Sequence, residues 1–336
     1  MTTRIPTRIP TRRSLLLGLA TVATLPSLLA SRAAYAQTAV RQLTIVVGFP
    51  AGGATDIVAR LLADGMRGSY ADTVIVENRS GGAGRIGTAH VKNAPADGSV
   101  MLCTAAFPLA IFPHIYKTLP YDSLADFVPV ASTTRSGFAL SVGPGVPDTV
   151  RTLKEFVAWC KAKPGDATYG APAGSGQHFA GALFARQAGI PMRMISYKGG
   201  APVVTDLLGG HIASAVNPIP EVLPYAKEGK LRILATTTNP RSRFLPDTPT
   251  MSELGYEVVF QDWSGLLAPA GTPKEIVARA NAAAGEALRA SNAAATLDKL
   301  GSAVDLNSPD QFAAMYRQTW ERYRDVVKST GFTAEE

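Results

Sequence analysis

Short apolar runs alternating with helical patterns constrain this chain more than any other feature, because such alternation builds a parallel sheet with helices on its faces. The first unit is the most explicit. Leu43, Ile45, Val46 and Val47 form a run short enough for a buried strand, while Ile57, Val58, Leu61 and Leu62 recur at helical spacing. Between them lies Phe49-Pro-Ala-Gly-Gly-Ala54, whose glycines allow a sharp bend and leave amides uncovered by side chains. Thr55 and Asp56 are expected as N-cap residues of the helix that follows. Unpaired amides at a helix N-terminus, with the positive end of the helix dipole behind them, favour a carboxylate or a phosphate. An ordinary βα turn would use the same residues, so both readings stand.

The alternation continues through strands at 73–77, 100–105, 127–131 and 138–142 and a short helix at 86–92. Gly143-Pro-Gly-Val-Pro147 is a dense cluster of breakers, and a crossing between domains is expected near it. A second series follows. Thr152-Leu-Lys-Glu155 is a capping box opening a helix to Lys163; strands are expected at 168–171, 192–196, 212–217 and 231–236, and helices at 178–188, 201–208 and 220–227. The last part is helical, with Thr272-Pro-Lys-Glu275 and Ser308-Pro-Asp-Gln311 reading as capping boxes that carry Pro at the first helical position.

The first thirty-six residues stand apart. Arg4, Arg8, Arg12 and Arg13 precede an apolar segment from Leu15 to Ala30, and Ala34-Tyr-Ala36 follows: the n-region, h-region and cleavage site of an export signal cut after Ala36. Thr11-Arg-Arg-Ser-Leu-Leu16 also resembles a twin-arginine signal, with Leu15 where Phe is usual. The segment carries five arginines and no acid, so its removal lowers the net charge from +7 to +2. A nucleic-acid partner thereby loses its main support, whereas a mild positive excess still suits a small anion. Cys103 falls in a strand and Cys160 in a helix; two buried free thiols are the simpler expectation and a disulfide the other.

Three further constellations carry chemistry. Gly82-Ala-Gly-Arg-Ile-Gly87 fits G-x-G-x-x-G after a strand, but the end of the next strand has no acid for a ribose, so a glycine-rich βα turn is the better account. Gly174-Ser-Gly-Gln-His178 ends a strand and opens a helix in the second series, repeating the chemistry of the first turn. Ser175 and His178 also invite a secreted serine hydrolase, although Ala173 stands where a nucleophile elbow has glycine. Lys198, beside Gly199-Gly200, is a candidate to neutralise ligand charge or else a solvated surface lysine. The four histidines lack ligand spacing, so no metal and no cofactor are expected.

Taken in order, Phe49-Pro-Ala-Gly-Gly-Ala-Thr-Asp56, Glu77-Asn-Arg79, Ala96-Asp-Gly98, Tyr197-Lys-Gly199, Asp206-Leu-Leu-Gly-Gly210, Pro249-Thr250 with Glu253-Leu-Gly255, and Trp263-Ser-Gly265 with Ala268-Pro-Ala-Gly-Thr-Pro273 resemble the Bug-type extracytoplasmic solute receptors of tripartite tricarboxylate transporters, the TctC family. The resemblance implies an α/β, two-lobed periplasmic binding protein, each lobe a mainly parallel sheet flanked by helices, with two interlobe crossings. Lobe 1 would hold 37–140 and 262–336, and lobe 2 would hold 141–261. It also implies a small carboxylate ligand, a di- or tricarboxylate or an aromatic acid, a membrane permease or sensor as partner, no enzymatic activity and a monomer. By matching positions, the ligand contacts would be Phe49, Gly52, Gly53, Ala54, Thr55, Asp56 and Phe107 from the first lobe, and Gly174, Ser175, Gly176, His178, Lys198 and Asn217 from the second. Phe49, Phe107 and Phe138 are candidates for an apolar wall. Ser80-Gly-Gly-Ala-Gly-Arg85, Gln177 and Ile212-Ala213 depart from the family's usual residues, which bears on the ligand rather than on the fold.

Overall fold

In the computed structural model, residues 1–2, 40–330 and 332–334 are described. The export signal and its cleavage site lie outside them, apart from the first two residues. From Val40 onward the chain begins with two βα units and a third strand: β1 (Val40–Val47), α1 (Ala54–Met66), β2 (Ala71–Asn78), α2 (Arg85–Lys92) and β3 (Val100–Ala105). The three strands pair in parallel in the order β2-β1-β3. Their core is dense because β1 buries Leu43, Ile45, Val46 and Val47 on both faces, as strands covered by helices on both sides must.

G-x-G-x-x-G does its work in this packing. Gly82 and Gly84 adopt positive φ, and a Cβ on Gly87 would lie 2.8 Å from Gly48 Cα, so the start of α2 sits backbone to backbone on the end of β1. Two short helices follow β3, α3 (Phe107–Ala110) and α4 (Phe112–Ile115), each opened by Pro at its second position.

The strands expected at 127–131 and 138–142 are one strand, β4 (Phe127–Val142), and it belongs to two sheets. Up to Gly137 it pairs with β9 (Gln261–Pro269). From Phe138 it pairs with β7 (Ser214–Pro218), and also with β8 (Arg232–Thr236). Its sheet change therefore falls at Gly137 and Phe138, ahead of the breaker cluster at 143–147. Glycine is needed there, because a Cβ on Gly137 would collide with Thr238.

The second sheet takes β5 (Thr168–Pro172) and β6 (Arg193–Tyr197) in parallel beside β7. Its helices are α5 (Leu153–Ala162), α6 (Gly176–Ala188), α7 (Gly200–Leu208) and α8 (Ile219–Lys227). The chain then returns through Phe260 into β9, which wedges between β3 and β4 and is antiparallel to both. Both sheets are thus mixed: the βα units supply the parallel pairs, and the strands that cross between sheets supply the antiparallel ones. Thr237, fully buried, ties the two crossings together. Its backbone N–H donates to Phe138 O and its hydroxyl to Phe260 O, while its backbone carbonyl accepts from Phe260 N.

After β9 come α9 (Lys274–Arg289), α10 (Ser291–Leu300), the two-residue β10 (Ala303–Val304) on β4, and α11 (Pro309–Thr330). Of the three expected capping boxes, those at Thr152 and Ser308 form with both reciprocal bonds. The one at Thr272 does not, because the Thr272 hydroxyl donates instead to Pro269 O and α9 starts after Pro273 without a side-chain cap. Cys103 and Cys160 are buried free thiols, and burial pushes both up to about 12.

Candidate functional site

Strand ends and helix starts meet in one cleft, lined from both sheets. The first sheet contributes the turn after β1, with Phe49, Pro50, Gly53, Ala54 and Thr55. Helix α1 starts at Ala54 with Gly53 as N-cap and no side-chain cap, so the expected caps, Thr55 and Asp56, lie inside the first turn. Gly53 itself supplies the extended cap geometry. Amides of this first turn precede the helix's own hydrogen bonds, the earliest of which runs from Ile57 N to Gly53 O.

Asp56 explains why the turn holds its shape. Its carboxylate, buried behind the turn, accepts from Gly52 N at 2.9 Å, Asn78 Nδ2 at 2.8 Å, and Arg60 Nε and Nη2 at 2.9 and 3.0 Å. Burial opposes its charge, but these donors outweigh burial and hold it below the usual carboxylate range. Asn78 also donates to Phe49 O, which gives Glu77-Asn-Arg79 a physical role as a brace for the turn. Gly52 and Asp56 accordingly brace the cleft without lining it.

Phe107 lines the cleft with its ring 5.3 Å from that of Phe49, and Phe112 extends the apolar wall behind it at 5.6 Å. Phe138 is fully buried and packs on Gly176 outside the lining. The crossing strands add Thr134 and Ser136 from β4 and Asp262, Trp263 and Ser264 from β9, which sequence reasoning did not nominate.

The second sheet places its predicted residues differently. Ser175 caps α6: its hydroxyl accepts from His178 N at 3.2 Å and donates to Pro172 O at 2.7 Å. His178 accepts from Gly174 N through Nδ1 and stacks on Phe179 with Phe332 at its edge; burial lowers it to about 4. The serine proton is engaged with a carbonyl, and the ring nitrogen Nδ1 with a backbone amide. Gly174, Ser175, Gly176 and His178 lie outside the lining, and the residue of this turn that reaches the cleft is Gln177. Lys198 is exposed and outside it as well, whereas its neighbours Gly199, Gly200 and Ala201, at the start of α7, line it.

Asn217 stands one step behind the surface, with Nδ2 donating to Glu221 Oε2 at 2.8 Å. Glu221, in the first turn of α8, is another residue sequence reasoning missed. Its Oε1 accepts from Ala54 N at 3.3 Å, so a carboxylate of one sheet's helix reaches the helix N-terminus of the other. A Cβ on Gly200 would collide with this carboxylate. Asn217-Pro-Ile-Pro-Glu221 held the available signal: a strand end running straight into a proline-started helix, where open α/β sheets bind ligands.

Two α/β sheets joined by two strand crossings, with helix N-termini from both converging on one cleft, define a periplasmic binding protein. The family model described as "Tripartite tricarboxylate transporter family receptor" (TctC) matches residues 58–332, and the chain belongs to that family. Protein BugT of Bordetella pertussis is 35% identical over 294 residues, covering 87% of this chain and 90% of BugT. The structure of periplasmic binding protein BugD superposes with a TM-score of 0.82 at 29% identity, covering 88% of this chain and 99% of that one. R. palustris Rpa4515, solved with adipate, superposes with a TM-score of 0.82 at 31% identity, covering 87% and 98%.

Proposed function

We propose that this receptor captures a small carboxylate in the cleft and presents it to a membrane permease of the tripartite type or to a sensor. The observation that carries this reading is the convergence of the α1 and α7 N-termini, one from each sheet, on a space walled by Phe49, Phe107 and Trp263. Amides and hydroxyls hold a carboxylate there with no cationic side chain among the described lining residues, and the aromatic wall takes the ligand's carbon chain. The adipate bound by Rpa4515 is chemistry of this kind.

On this reading Phe49, Gly53, Ala54, Thr55 and Phe107 touch the ligand, together with Gln177 and the α7 start. Gly52, Asp56, Gly174, Ser175, Gly176, His178 and Asn217 hold those residues in place, and Lys198 stays at the surface. Residues 37–140 with 262–336 act as one lobe and 141–261 as the other, the chain works as a monomer, and residues 1–36 direct export before removal. A thermal-shift screen of mono-, di- and tricarboxylates on ligand-stripped protein tests the reading, since a binder raises stability by RT ln(1 + [L]/Kd). Failure of every carboxylate to shift the melting temperature overturns it.

A further inference from the structure

The polar groups of the cleft divide unevenly between donors and acceptors. Among the described residues, Glu221 and Asp262 both line it and no Lys, Arg or His does. Gln177, only 4% exposed, lines it too, and its Oε1 has no hydrogen-bond partner. Asn217, 1% exposed, spends its Nδ2 on Glu221 and Gly200 O, which fixes the amide's orientation and leaves its Oδ1 without a partner. Hydroxyls of Thr55, Thr134 and Ser264 remain as donors for one carboxylate, whereas that of Ser136 already donates to Gly137 O. For a second there is a difficulty, because the Ala54 amide at the start of α1 is already taken by Glu221 Oε1. A second anion beside Glu221 would meet like charge in a site where the described residues supply no cation. A hydrogen-bond donor on the ligand would instead meet the Glu221 carboxylate, which lines the cleft.

We infer that this receptor selects a ligand carrying an ammonium or primary amide beside its carboxylate, with Glu221 as the specificity-determining acceptor that disfavours a dicarboxylate of the same length. The inference rests on the carboxylate-receptor reading and narrows its ligand class. Burial with no opposing cation raises Glu221 above the usual carboxylate range, against hydrogen bonds from Asn217 and Ala54 N, which is the condition an incoming ammonium would relieve.

Matched probes that differ only in one end group test it. Calorimetric titration of the protein with succinate, succinamate and β-alanine, then glutarate, glutaramate and 4-aminobutyrate, then adipate, adipamate and 5-aminovalerate, varies the end group at constant methylene number. In the series whose length fits, the amine or amide is expected to bind at least about tenfold more tightly than the dicarboxylate. Glu221→Gln, which keeps the shape and removes the charge, is expected to reduce that ratio to about threefold or less. Glu221→Ala, with a thermal melt to show that it folds, is expected to do the same. A dicarboxylate that binds the parent as tightly as its amine and amide partners, or a ratio unchanged in both folded variants, overturns the inference and leaves the carboxylate reading intact. Absence of binding by all nine probes overturns the inference, and the carboxylate reading is then decided by the thermal-shift screen.

Discussion

Two cleft residues show how one side chain can serve binding or stability and how the two are separated. Thr55 lies inside the first turn of α1, whose cap is Gly53, so it carries no capping bond to lose. Thr55→Val should weaken ligand binding by about 1.5–3 kcal/mol, the range for a hydrogen bond to a charged group, and leave the melting temperature nearly unchanged. Calorimetry beside a thermal melt reads both. Asp262 accepts from Ala106 N at 3.3 Å and from Trp263 N at 3.0 Å, yet burial still raises its carboxyl to about 7. A raised folded-state value means that the proton is held more tightly in the native protein. The stability it contributes is complete below about pH 4, where the unfolded chain is protonated too, and is lost as pH rises to 7. Asp262→Asn should therefore stabilise at pH 8 by on the order of 1–2 kcal/mol, partial contact with solvent reducing the effect, and should match the parent near pH 4. Denaturant melts at the two pH values would show a pH-independent difference if burial of this charge were not the cause.

At the scale of elements, α6 separates a cap from a nucleophile. Ser175→Ala removes the acceptor for His178 N, and a loss of about 1 kcal/mol in stability is expected, with ligand affinity kept. A denaturant melt and a titration would expose the opposite pattern, affinity lost and stability kept, if the hydroxyl met the ligand. Sequence reasoning found most elements because each βα unit announces itself locally. β3 was placed at the observed residues, and α5 was found through its capping box. It missed what depends on distant partners. β9 begins with Gln261-Asp-Trp-Ser264, which has no strand alternation of its own and becomes a strand by entering between β3 and β4. Within the site the turn after β1 was legible because glycines and helical spacing define it. Gln177 and Glu221 were not, since which residue of a helix's first turn faces a cleft depends on the rotation of that helix against a sheet assembled from remote strands.

For the whole molecule, the two crossings set how the sheets can move. β4 passes between sheets without a loop, and Thr237 holds both crossings together, so relative motion must come from bending a hydrogen-bonded ribbon. Hinge closure about a ligand is the established behaviour of periplasmic binding proteins. Small-angle scattering should show a modest decrease in radius of gyration when a saturating ligand is added. Thr237→Val, which removes the hydroxyl's bond to Phe260 O and the acceptor for Phe138 N, should shrink or blur that change. An identical ligand-induced change in the variant would mean that this threonine does not govern the motion.

β9 also imposes an order in time. The strands on either side of it, β3 and β4, emerge from the ribosome about 125–160 residues before β9 does, and until then each exposes an unpaired edge. The first sheet cannot close while the chain is incomplete, whereas β5, α6, β6, α7 and β7 are contiguous and can assemble as soon as they are made. A chain truncated before Gln261 is thus expected to aggregate through the orphaned edges of β3 and β4, and a peptide spanning the missing strand should suppress that aggregation when added in trans, as light scattering would record. Late arrival of the central strand keeps the polypeptide unfinished during synthesis, the state in which a chain can still be threaded through a narrow pore.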